Sequence, residues 1–208
     1  QSASLTANIS TTGNVDVSNT GTLAGNYAAN NLKLAGQSVN AGISANTVEG
    51  DATGGNVALT STGSNELMVT NSSAPNGNFT LNHNGDVVFD TINAQNVTIN
   101  TTGDITDVAN TIIAQGITLN GNNILINTQG QVIVINAQGN VTVTNTVVDV
   151  NSLTIDAQGN VSFGTTGNLA LAQVTGGQLV QLTAGGNITA GPGAFVNGFD
   201  VQVLAGGT

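Results

Sequence analysis

Apolar and polar residues alternate along almost the whole chain, in short runs separated by polar turns. A period of two buries one face of an extended strand and exposes the other. One phrase recurs: apolar, any, apolar, three variable residues, Gly, Asn or Asp, then apolar, any, apolar. It appears as Phe79-Thr80-Leu81 with Gly85-Asp86-Val87-Val88-Phe89, and as Val97-Thr98-Ile99 with Gly103-Asp104-Ile105. It returns as Ile133-Val134-Ile135 with Gly139-Asn140-Val141-Thr142-Val143, and as Leu153-Thr154-Ile155 with Gly159-Asn160-Val161-Ser162-Phe163. Further copies are Val57-Ala58-Leu59 with Gly63, Ile117-Thr118-Leu119 with Asn123, Val180-Gln181-Leu182 with Gly186-Asn187, and Val201-Gln202-Val203 with Gly207. Leu32-Lys33-Leu34 matches more weakly. The starts at 32, 57, 79, 97, 117, 133, 153, 180 and 201 give about 21 residues per copy, which is in the range of solenoid repeats.

The same ordered motif returns each time, without the hairpin signals that a sandwich would carry between strands. Equivalent strands can therefore lie parallel, each above its predecessor, about 4.8 Å apart. The pattern predicts an all-β fold: a parallel β-solenoid (β-helix) of about nine to ten coils. Residues 1–208 form one array, and 21–51 are its least regular coils or an insertion. Stacking turns sequence columns into ladders. Gly85-Asp86, Gly103-Asp104, Gly139-Asn140, Gly159-Asn160 and Gly186-Asn187 are predicted to share one turn column, with Gly63 and Gly207 beside them. A recurring glycine marks a turn with positive φ or without room for a Cβ, and stacked amides can hydrogen-bond along the axis. Third strands are predicted at Val147-Val148-Asp149-Val150 and Leu169-Ala170-Leu171.

Composition narrows the function. Only 6% of the 208 residues are charged, and the formal net charge is −10 with Lys33 the single basic side chain. Binding to nucleic acid rests on Lys and Arg, so this chain is a poor candidate for it, and equally for anionic membranes. There is no cysteine, so stability comes from packing and hydrogen bonds. No run approaches the roughly 20 apolar residues of a membrane-spanning helix. Residues 1–10 carry neither a basic n-region nor an apolar core, so the chain is either cytosolic or a mature or excised piece of an exported protein, and the near-total lack of Lys and Arg favours export.

The repeats around Gly139-Asn140-Val141-Thr142-Val143 and Leu182-Thr183-Ala184-Gly185-Gly186-Asn187-Ile188-Thr189-Ala190 resemble those of filamentous haemagglutinin-type proteins, the two-partner-secretion exoproteins of Gram-negative bacteria. The resemblance is best from Phe79 to Gly207. It implies a right-handed parallel β-helix, export to the cell surface, and a part in adhesion, aggregation or biofilm matrix. The family's N-terminal secretion domain is not recognisable here, so the resemblance implies shaft. Partners are then neighbouring coils or identical subunits end to end, with cell-surface glycans or proteins as targets.

Candidate chemistry is sparse, and the chain reads as a non-enzyme without cofactor. Asp86 and Asp104 could form the carboxylate pair of a glycosidase, but they occupy a column where Asn is usual, which points to structure. Asp86, Asp90, Asp104 and Asp107 fall within two adjacent coils and are candidate calcium ligands; solvated turn acids are the simpler reading. His83, the one histidine, is expected to be exposed in a turn. A carbohydrate- or ice-binding module is the alternative function. Regular Thr columns on a flat face would favour it, but the threonines, such as those of Thr142-Val143-Thr144, are not expected to repeat at one column through consecutive coils.

Overall fold

A computed structural model describes residues 3–108, 110–146 and 149–207. The predicted strand at 147–150 is therefore described only from Asp149. Among the described residues there is no helix; every element is a strand, and every strand pairing is parallel. The strands stack as a β-solenoid of about 10 turns.

Three faces surround the core, called A, B and C here. Face A begins with Leu5–Ser10, Thr22–Ala28, Ser38–Ser44 and Val57–Ser61. It continues in the second halves of the longer strands Ser72–Asn82, Ile92–Asn100, Ile112–Gly121, Ile124–Ala137 and Asp149–Ala157. Face B includes Asn14–Ser18, Asn31–Gly36, Thr47–Ala52, Val87–Phe89, Val141–Asn145, Val161–Thr165, Leu179–Ala184 and Asp200–Ala205. Face C is built from the first halves of the long strands, where Ser72, Ile92, Ile112 and Thr128 stack in turn.

The alternation fixes what fills the interior. On face A, Val39, Val57, Phe79, Val97, Ile117, Ile133 and Leu153 form one column in register. Two residues further along runs a second, Ala41, Leu59, Leu81, Ile99, Leu119, Ile135 and Ile155. All fourteen are essentially inaccessible to solvent. Face B contributes Leu67, Val87, Ile105, Ile124, Val141, Val161 and Val180. Like side chains stacked at strand spacing make a dry aliphatic core without voids between coils.

The register corrects the sequence reading at both ends of the repeat. The starts at 57, 79, 97, 117, 133 and 153 do share a column on face A. Val180 and Val201, however, stack on Val161 in face B, and Leu32 stacks between Val15 and Val48 in the same face. Coil lengths on face A are then more even than the sequence suggested, from 16 residues (Leu23 to Val39) to 22 (Val57 to Phe79). Residues 21–51 are also regular: Thr22 to Ala28 pair without a break with Ser38 to Ser44, and Asn31 to Gly36 with Thr47 to Ala52. Gly and Asn interrupt the apolar alternation there, which hid strands that pair normally.

Candidate functional site: ladders, acids and an open face

The Gly-Asx phrase builds a hydrogen-bonded turn ladder. The Oδ1 of Asp86 accepts the N–H of Asp104 at 2.8 Å, and Asp104 accepts that of Asn123 at 3.0 Å. Asn123 then accepts from Asn140 at 2.8 Å, Asn140 from Asn160 at 2.8 Å, and Asn160 from Leu179 at 3.0 Å. The backbone answers in the other direction: the N–H groups of Val87, Ile105, Ile124 and Val141 donate to the carbonyls of Asp104, Asn123, Asn140 and Asn160. Each corner thus satisfies a backbone donor that the strand ladder leaves over.

The same geometry explains the glycines. To reach the N–H after the glycine, the Asx oxygen must lie over the glycine itself. A Cβ on Gly103 would stand 2.3 Å from Asp86 Oδ1, one on Gly139 2.2 Å from Asn123 Oδ1, and one on Gly159 2.6 Å from Asn140 Oδ1. None of these glycines has positive φ; among the described glycines only Gly25 and Gly193 do. Lack of space is therefore the cause. Gly85 packs over Ser64 rather than Gly63.

One predicted member belongs elsewhere. Gly186-Asn187 lies in a second ladder, on face C, where Asp149 accepts from Asn168 at 2.9 Å and Asn168 from Asn187 at 2.8 Å. Gly207 continues this second ladder over Asn187. The two corners have the same stereochemistry, so the same phrase serves both.

The four acids proposed as calcium ligands separate into two places. Asp86 and Asp104 sit in the first ladder, before Val87–Phe89 and Ile105–Asp107. Asp90 and Asp107 sit at the far ends of those strands, on the order of 10 Å away at strand rise. There Asp90 accepts from Asn110, and Asp107 Oδ2 from the backbone N–H (2.5 Å) and side-chain amide (2.8 Å) of Asn127. The backbone N–H of Asn123 holds the Asp104 carboxyl below the usual range, with the Asn122 and Asn123 amides acting in the same direction against partial burial. No group of three or more His, Cys, Asp or Glu side chains that could hold a metal converges among the described residues.

His83 is buried, not exposed as its turn position suggested. Its Nε2 lies 2.8 Å from the carbonyl of Asn65 in the coil before, so Nε2 carries the hydrogen. Its Nδ1 is buried without a partner. Sequence reasoning also missed Asn145, which is fully buried. Its Oδ1 accepts from Thr128 Oγ1 and from the Gly130 N–H, both at 2.9 Å, and its amide donates to Thr165 Oγ1 at 3.4 Å. The signal was present, because Val141-x-Val143-x-Asn145 and Val161-x-Phe163-x-Thr165 continue the inward alternation by one step.

The single cation stands in a column of acids on face B, with Lys33 paired to Asp16 on one side and Glu49 on the other. Lys33 Nζ meets Glu49 Oε1 at 2.5 Å. That hydrogen bond and the Glu49 charge raise the Lys33 pKa. Burial, with help from neighbouring Glu49 and against Lys33, pushes Asp51 up to about 6.

Face A carries an ordered exterior. Thr80, Thr98 and Thr118 share one column through three consecutive coils, contrary to the expectation that Thr would not repeat. Beside them Asn82, Asn100, Asn120 and Asn136 form an amide ladder with N–H···O distances of 2.8, 2.6 and 2.6 Å. No helix of the described residues is long and apolar enough to cross a membrane. Compared with protein-family models, with curated proteins and with solved structures, the chain matches none.

Proposed function

We propose that this chain is a structural and adhesive segment of an extracellular bacterial surface fibre, of the filamentous haemagglutinin type that its repeats resemble. The observation that carries the reading is the stack of parallel strands from Leu5 to Ala205, each coil paired with the next. Such a stack spends its sequence on length and stiffness. Asp86, Asp104 and Asp149 are used in turn ladders and Lys33 with Glu49 in an ion pair, and we read the chain as non-enzymatic. Further coils or identical subunits end to end belong to the same proposal.

The test is attachment. Inert beads coated with the purified chain are counted on epithelial cells, bacterial cells and glass, against beads coated with an unrelated all-β protein. The proposal expects excess attachment to at least one surface; equal counts on all three would overturn it. The Thr80–Thr98–Thr118 column favours a second reading, a carbohydrate- or ice-binding solenoid module.

A further inference from the structure

Several threonine hydroxyls outside face A are used by the fold. Those of Thr53, Thr70, Thr101 and Thr146 donate to backbone carbonyls of the preceding coil. The hydroxyls of Thr98 and Thr118 make no hydrogen bond within the described chain, although both are half-buried on face A. They are fixed in place by strand pairing and remain open to a ligand.

Beside them the outer Asn column breaks. Asn78 and Asn96 are followed in register by Gly116 and then Val132. Asn96 Oδ1 lies over Gly116, 2.5 Å from where a Cβ would stand, and beside it a cleft of about 440 Å³ runs across three coils. Gln115, Gln131, Asn96 and the two threonines line it, and Val132 and Val134, outward in the same two columns one coil further on, give it an apolar end. Val132 is 41% exposed, so this apolar end faces solvent.

We propose that this cleft binds a sugar ring of a neutral polysaccharide, an inference that rests on the adhesive reading and names its ligand class. A pyranose is two-sided: its C–H face is apolar and its rim carries hydroxyls that both donate and accept. The exposed valine end matches the first, and the surrounding amides and hydroxyls match the second. Charge selects the neutral sugar. No ionisable side chain lines the cleft, the chain carries −10, and its one cation is on face B held by Glu49. A uronate or sulfated sugar would find no counter-charge and a repulsive field. An ice surface would need unbroken columns, and Gly116, Val132 and Val134 interrupt both. No aromatic ring stacks on the cleft, so each site binds weakly, with Kd on the order of millimolar. Many copies presented along one fibre raise the avidity.

The test is titration of the full chain, followed by amide chemical shifts, with the hexasaccharides of β-1,4-glucan, β-1,3-glucan, α-1,4-glucan and β-1,4-mannan, and with oligogalacturonate as the acidic probe. At least one neutral probe should shift the amides of Gly116, Gln131 and their neighbours, and oligogalacturonate should not. Val132→Asp and Gln131→Ala, both at exposed positions, should weaken that neutral binding about tenfold at unchanged melting temperature. Absence of shifts with every neutral probe, shifts confined to other coils, or equal binding of oligogalacturonate would overturn the cleft. If the sugars fail while coated beads still attach, the cleft falls and the adhesive reading stands. If the sugars bind at the cleft while beads do not attach, the cleft stands without the adhesive role.

Discussion

Asn123 and Gly139 stand one above the other, and neither makes sense alone. The asparagine oxygen occupies the space a Cβ on Gly139 would need, because it is bonded to the next N–H. Gly139→Ala should therefore cost about 2 kcal/mol by overpacking. In an Asn123→Ala background the same change should cost much less, since the nearest backbone atom is then 3.4 Å away. A double-mutant cycle in urea checks this; strictly additive losses would contradict the coupling. Asn145 has the higher stake. Asn145→Leu leaves the Thr128 hydroxyl and the Gly130 N–H buried without their acceptor, for a loss of about 3 kcal/mol. Asn140→Ala, at an exposed corner that water can reach, should cost only about 1 kcal/mol. Equal losses in thermal melts would mean that burial does not govern these amides.

Asp51 tests the electrostatics at the same scale. Its folded pKa of about 6 lies above the ordinary 3.8, so the folded state holds the proton more tightly than the unfolded chain. Its contribution is full below about pH 3.8 and is lost as pH rises through about 6. Discounted for its partial exposure, the loss is on the order of 1 kcal/mol. Asp51→Asn should raise stability by that amount at pH 8 and by nothing at pH 3.5, read from urea midpoints. A gain at both pH values would place the effect elsewhere. The Gly-Asn phrase was legible in the sequence because it recurs from coil to coil, each copy bonding to the next. The burial of His83 was not, because it depends on which residue of the previous coil lies beneath the ring, here Asn65.

At the scale of the strand, alternation showed which residues face inward but not which face of the solenoid a strand belongs to. Leu153 and Val180 carry the same local pattern, yet one lies on face A and the other on face B. A corner needs only an Asx oxygen above a glycine, and every corner can use it. Ladder identity is therefore a matter of counting coils, which variable turn lengths obscure. The columns themselves give a prediction. Ile117 pairs with Ile133, so excision of residues 117–132 replaces one coil by the next and keeps every column. That variant should remain folded, with the loss of one coil's nearest-neighbour contribution. Deletion of Thr118 alone turns Leu119 outward and should cost several-fold more. Circular dichroism melts compare the two; equal destabilisation would contradict a register set by coil columns.

Over the whole molecule, stability is a sum of coil-to-coil interfaces rather than one central core. The sequence disclosed this architecture, because a motif that returns in the same order can only stack. It did not disclose the cleft at Gly116. That feature depends on the outer Asn column failing at Gly116 and Val132, which is visible only once the coils are in register. A fibre segment must hold its shape under tension, and a stack of coils should do so one coil at a time. Force spectroscopy between attachment points near Leu5 and Leu204 tests this most directly. The account predicts a sawtooth, each peak releasing one coil and about 55–75 Å of chain at up to about 3.5 Å per residue. A featureless extension at low force would contradict the reading of this chain as a mechanical fibre segment.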